Sequence, residues 1–452
     1  MFHQPTTGAL IERWYAAALA AVEPAAAVQR LLARDGDTLI VDGRRVPVRG
    51  KLIIAAIGKA AVAMARGAEA VCGDLITGGL VITKDGHAGG VSLAYLPIRE
   101  AAHPVLDERG VAATRELLAL LTGLGSADVV LALISGGGSA LLEAPHPPLT
   151  LADMAATTDL LLRAGAPIQD LNAVRTPLSL VKGGGLRRAA GAATVVTLIL
   201  SDVLGNDPRI IASGPTVPGE ADPAVALAIL DRYGVRERVP SVVIQTLLML
   251  PSPPQPPSAA VERGGSRTAE VSLITIVGDN DAAVGAAAAA ARADGFHTDI
   301  IWRERRGEAV SLARAWVAAC ERADPAVEVL LGGGEATVTV RGDGVGGRKT
   351  EFALAAALTL AERDDHDWIV ASLATDGQDA LTGVAGAIAD AETIARARTA
   401  GVDPIAALAN NDSLRVFEAA GGTERPGPTG TNVCDLYFAV RASRKSGDRS
   451  QE

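Results

Sequence analysis

Strand-length runs composed almost wholly of aliphatic residues recur along this chain: LIIAAI (52–57), VVLALI (129–134), VVTLIL (195–200), LITIV (273–277), VEVLL (327–331) and WIVASLA (368–374). A strand that is apolar at every position, not at every second one, has to be covered on both faces. The segments between the runs are long enough to be the helices that cover them. The pattern predicts an α/β fold with mainly parallel strands.

At 452 residues the chain exceeds what one hydrophobic core usually organises, so two domains are expected. The segment PSPPQPPSAAVERGGSR (251–267) is too rich in Pro, Gly and Ser for a regular element and marks the boundary. The expected division is therefore an N-terminal domain over 1–250, a linker over 251–268 and a C-terminal domain over 269–445. Upstream, the Ala-rich stretch Leu10 to Leu32 reads as an amphipathic helix.

A formal net charge of −10 without any long Lys/Arg run excludes a nucleic-acid partner. Cys72, Cys320 and Cys434 are scattered and lack metal or redox spacing, which suits a reducing cytoplasm. The apolar region Leu117 to Leu142 is divided by Asp128 and a glycine cluster, so no membrane span is expected. No H-E-x-x-H or G-x-S-x-G occurs, which removes support for zinc and serine hydrolases.

Chemistry is expected in the loops that follow the apolar runs. After VVLALI come Ser135, Gly136, Gly137, Gly138 and Ser139, whose amides could cradle a phosphate; a tight turn without ligand is the alternative. After LIIAAI come Gly58 and Lys59, where a lysine stands at a strand-to-helix junction, although this is no Walker A motif. LILSDVLGNDP supplies Asp202 and Asp207, and SLATDGQD supplies Asp376. These carboxylates at strand ends suit Mg²⁺, with capping as the competing role. Arg175 and Lys182 are seven apart and would share one face of a helix, with Pro177 arguing against its continuity. Gly342, Gly344 and Gly347 match G-x-G-x-x-G, but TVTV before them alternates unlike a buried first dinucleotide-binding strand.

The order GKAA, SGGGSAL, NAVR…LSLVKGGGL, SDV…DP…ASGPT, GGGEATVTVRG…GGR…E and TDG…AGA resembles the class II glycerate 2-kinases, whose C-terminal part is the MOFRL domain. The resemblance covers roughly 8–440. It implies a Rossmann-like three-layer N-terminal domain, a smaller α/β C-terminal domain and an active-site cleft between them. It implies transfer of the ATP γ-phosphoryl group to the 2-hydroxyl of D-glycerate with Mg²⁺. Lys59 and Arg348 fall on the family's important lysine and arginine, and Asp202 and Asp376 join them as candidate catalytic groups. Ser135 to Ser139, Arg175, Lys182 and Glu335 are the candidate substrate or phosphate contacts, and Asp202, Asp207 and Asp376 the candidate metal ligands. A homo-oligomer is compatible with this reading. The chain departs from the family pattern at Thr176–Pro177, at Lys349–Thr350, at Leu204 and Asn206, and at Ala380 and Gly383. Two alternatives stay open: a hydroxypyruvate or tartronate semialdehyde reductase, and a non-catalytic metabolite-binding relative.

Overall fold

The computed structural model describes residues 6–217, 219, 221–251, 272–363, 367–380 and 382–442. Beyond Pro251 the expected linker lies outside the described residues. Contacts divide the chain into two units: Pro24–Leu200 with Asn206–Val277, and Met1–Glu23 with Ser201–Gly205 and Gly278–Glu452.

The first unit opens with a small antiparallel sheet of β1 (Leu32–Asp35), β2 (Thr38–Val41) and β3 (Arg44–Pro47). Its main sheet holds β4 (Leu52–Ile57), β5 (Ile76–Lys84), β6 (Ile98–Ala101), β7 (Val129–Ile134), β8 (Thr194–Leu200) and β9 (Ser272–Gly278), in the order β6-β5-β4-β7-β8-β9. The pairs β5–β6, β4–β5, β4–β7 and β7–β8 are parallel. This is the doubly wound order: the chain builds outward from β4 to β6, then restarts on the other side of β4 with β7. Every residue of β4 and β7 is buried, as their unbroken apolar runs require. Helix Glu108–Leu121 contributes Leu117 and Leu121 to the core against Ile53, Ile57 and Val130. A second core joins the helices Leu151–Arg163, Ile168–Arg175, Pro223–Arg232 and Ser241–Met249 through Leu161, Val174, Leu230 and Leu247.

Two expectations differ from this arrangement. The stretch 10–32 forms two helices, Thr7–Ala21 and Pro24–Leu31, because Pro24 cannot donate into a continuing helix. The first counts with the C-terminal unit: the Trp14 indole N–H donates to Asp294 at 2.7 Å and the Tyr15 hydroxyl donates to the Ala374 carbonyl. The run 273–277, grouped by sequence with the second half, instead stands beside β8 in the first sheet.

The second unit carries β10 (Thr298–Glu308), β11 (Val329–Thr337), β12 (Trp368–Ala374), β13 (Gly386–Ala389), β14 (Thr423–Glu424) and β15 (Asp435–Arg441) in the order β10-β11-β15-β12-β13-β14. Only β10–β11 is parallel; the last strand inserts antiparallel between β11 and β12. The glycine run 332–334 lies inside β11. A Cβ at Gly334 would stand 2.1 Å from the Arg305 carbonyl of the neighbouring strand, so only glycine admits that approach. Helix Arg348–Glu362 packs on this sheet through Phe352, Ala355 and Ala356, with the Phe352 ring stacked 4.7 Å from that of Tyr437. No helix among the described residues is long and apolar enough to cross a membrane.

Candidate active site

In the first unit the loops after β4 and β7 leave neighbouring strands at the point where the winding direction reverses, the place where open α/β sheets bind ligands. The two loops are tied together. The Lys59 amide donates to the Gly136 carbonyl at 2.9 Å, the Ala60 amide to the Ser135 hydroxyl at 3.1 Å, and the Ser135 amide to Ile57 at 2.9 Å. Ser135, Gly136 and Gly138 are buried while Gly137 and Ser139 reach the surface. Lys59 is half-buried, and its ammonium meets no carboxylate among the described residues.

Ser139 links this loop to a buried pair that the sequence only half disclosed. The Lys182 ammonium donates to the Ser139 carbonyl at 2.7 Å and to its hydroxyl at 3.2 Å, and lies 3.3 Å from a Glu143 carboxylate oxygen. That oxygen receives charge contact without a directed hydrogen bond; the other accepts from the Ala144 amide at 3.1 Å. Lys182 is 1% exposed and Glu143 fully buried. Burial pushes the Lys182 pKa below the ordinary lysine range, opposed by Glu143 and reinforced by Arg175. Lys182 therefore braces the glycine loop through Ser139. The shared helical face with Arg175 does not form either, because the helix Ile168–Arg175 ends there, before Pro177. At the Thr176 departure the hydroxyl simply donates to Asn172 within the last turn.

The second unit gathers charge around β15. The Arg348 guanidinium donates to Glu335 at 2.8 Å and to Asp435 at 3.1 Å, while the Lys349 ammonium stands 3.1 Å from the same Asp435 oxygen. Burial works against the Arg348 charge, but Asp435 and Glu335 hold its pKa above the ordinary range. Asp435, 1% exposed, escaped the sequence reading because its partners are 87 and 86 residues away. Glu335 is here the partner of Arg348. Asp376 accepts from the Gln378 amide at 3.0 Å, and the Asp202 carbonyl accepts from the Cys434 thiol at 3.0 Å. Asp207 lies in the first unit, where both its oxygens accept from Arg209. Among the described residues no three of His, Cys, Asp and Glu are grouped so as to hold a metal ion.

The G-x-G-x-x-G segment has its amides engaged internally. Asn411 accepts from the Arg341 and Gly342 amides, Asp412 from Val345 and the Asn410 carbonyl from Gly344. These residues pin the loop. At the following helix N-terminus the Asp379 carboxylate accepts from the Lys349 amide at 3.0 Å and the Thr350 amide at 2.8 Å. The donors a pyrophosphate would need are thus already satisfied. The Lys349–Thr350 departure faces inward, the Thr350 hydroxyl donating to Asp379 at 2.8 Å.

A doubly wound domain carrying a lysine-bearing switch-point loop, followed by a mixed α/β unit, defines a class of two-part α/β proteins. The model described as "Domain of unknown function (DUF4147)" matches residues 10–248, and that of the MOFRL family matches 328–435. The chain is 36% identical to the "D-glycerate 2-kinase" of Thermotoga maritima, over 86% of this chain and 90% of the relative. It is 39% identical to a "Putative hydroxypyruvate reductase" of Agrobacterium vitis, over 86% of each. The crystal structure of a glycerate kinase from Thermotoga maritima superposes with a TM-score of 0.84 at 34% identity, covering 96% of this chain and 99% of that one. The chain belongs to the glycerate 2-kinase family that joins a DUF4147 domain to a MOFRL domain.

Proposed function

We propose that this protein is an ATP-dependent D-glycerate 2-kinase. The 2-hydroxyl oxygen of glycerate bonds to the γ-phosphorus, the bond from that phosphorus to the β,γ-bridging oxygen breaks, ADP leaves and the hydroxyl proton is released. The observation that carries this reading is Lys59, without a carboxylate partner among the described residues, beside the glycine loop at the switch point, in a chain of this family. Phosphoryl transfer asks a protein mainly to position the partners and to offset charge on the transferring oxygens, and a lysine at the junction of two tied loops does both. The Ser135–Ser139 loop supplies amides for phosphate or carboxylate, and Lys182 keeps that loop in place.

Asp376 suits a hard cation: one oxygen accepts from the Gln378 amide and the other has no hydrogen-bond partner among the described residues. With Asp202 we assign it to Mg²⁺, which would supply charge neutralisation on the nucleotide phosphates. Three buried free cysteines support a cytoplasmic enzyme. The test is an acceptor screen with ATP and Mg²⁺. ADP should appear with D-glycerate or a close hydroxy acid, without NADH consumption on hydroxypyruvate; NADH oxidation without acceptor-dependent ADP would establish the reductase instead.

Arg348→Lys replaces a planar fork shared by Glu335 and Asp435 with a point charge. The variant is expected to lower kcat/KM by at least about tenfold, ~1.4 kcal/mol. Wild-type steady-state kinetics in this variant would remove Arg348 from the reacting groups.

A further inference from the structure

The strands β6, β5, β4 and β7 end side by side; Lys84 is the last residue of β5, and beyond the strand ends stand His103, Lys59 and the glycine loop. Gly137 has φ +80°, and a Cβ built on it would lie 3.0 Å from His103 Nε2 and 3.3 Å from Lys59 Cγ. The imidazole, the lysine stem and the loop therefore meet at one point. No side chain hydrogen-bonds the half-buried His103 ring among the described residues. His87 does not compete for that point: its Nδ1 lies 3.0 Å from the Lys59 carbonyl, which can only accept, so this nitrogen carries the proton. The nearby carboxylates of Asp85 and Asp107 are both held by Arg109, at 2.7 Å each, and Asp85 also feels the charge of Lys84, leaving Lys59 without an anionic partner among the described residues. A small anion that also offers a hydroxyl is the complement this corner lacks.

We propose that His103 is a substrate-binding residue: its Nε2 hydrogen-bonds the acceptor hydroxy acid beside Lys59, with Lys84 adding positive charge on the side of the substrate carboxylate. This assignment rests on the kinase reading and names the acceptor's place within it. Burial first, then the charges of Lys59, Lys84 and His87, push the His103 pKa down to about 4. At neutral pH the ring is uncharged and serves as a hydrogen-bonding group, not as a further cation.

The test compares His103→Leu, His103→Gln and His103→Asn. Gln carries an amide near the position of Nε2, and Asn is too short to place one there. D-glycerate and ATP are titrated separately by calorimetry, alongside KM and kcat. Loss of one hydrogen bond to substrate should weaken D-glycerate binding by about tenfold in Leu and Asn, leave ATP within about twofold, and be largely restored in Gln. The Gln–Asn contrast carries the test should the Leu variant melt below the assay temperature. Equal D-glycerate affinity in wild type, Leu and Asn would overturn the assignment, as would equal weakening of both ligands. Wild-type binding of D-glycerate without ADP release would sink the kinase reading and leave the His103 assignment standing; absence of wild-type binding would contradict both.

Discussion

Replacing Lys59 by methionine is expected to lower kcat by about two orders of magnitude or more, ~3 kcal/mol of transition-state stabilisation, with thermal stability unchanged. Methionine keeps the length and apolar stem of lysine. The junction itself is held by backbone amides, Lys59 donating to the Gly136 carbonyl and Ala60 to the Ser135 hydroxyl, and these survive the change. Only the charge is removed. A solvated surface lysine at this position would give a change of a few tenths of a kcal/mol or less. The comparison is kcat at saturating ATP and acceptor beside melts of both proteins, and unchanged kcat with equal melting would refute the electrostatic role.

Lys182→Met is expected to act on stability instead. It leaves the fully buried Glu143 without its cation and takes two hydrogen bonds from Ser139. Removing one partner of a buried pair typically costs about 3–5 kcal/mol, because the remaining charge stays buried or has to take up a proton. For a unit of this size that is a fall in Tm of roughly 6–20 °C. The double variant Lys182→Met/Glu143→Leu removes both charges and should recover much of the loss in urea or thermal unfolding. A single variant within about 1 kcal/mol of wild type would show that the pair does not brace the loop.

The contrast between these two lysines shows where sequence reading succeeds and where it stops. The runs 52–57, 129–134 and 195–200 announced three central strands because a strand covered on both faces has no polar position to spare. The loops that follow them were legible for the same reason, and Lys59 with them. β5 was not read, since ITGGLVITK interrupts its apolar character with two glycines and two threonines. Pairings across the chain were beyond local pattern. Asp435 meets Arg348 and Lys349, Asp379 caps a helix that begins 31 residues before it, and Glu143 meets Lys182, each through tertiary packing. Spacing alone suggested that Arg175 and Lys182 would share a helical face; the helix ends before Pro177, and Lys182 is buried against Glu143 and Ser139. The formal dinucleotide signature failed for a related reason, because side chains from 411–412 and the Asn410 carbonyl occupy the amides that the motif would have to offer.

The central claim is phosphoryl transfer from ATP to the 2-hydroxyl of D-glycerate, and product identity tests it most directly. The purified protein with ATP, Mg²⁺ and D-glycerate should yield ADP and a phosphoglycerate in equal amounts, the product being consumed by enolase without a mutase. Absence of acceptor-dependent ADP, or a product that enolase accepts only after mutase is added, would contradict the account.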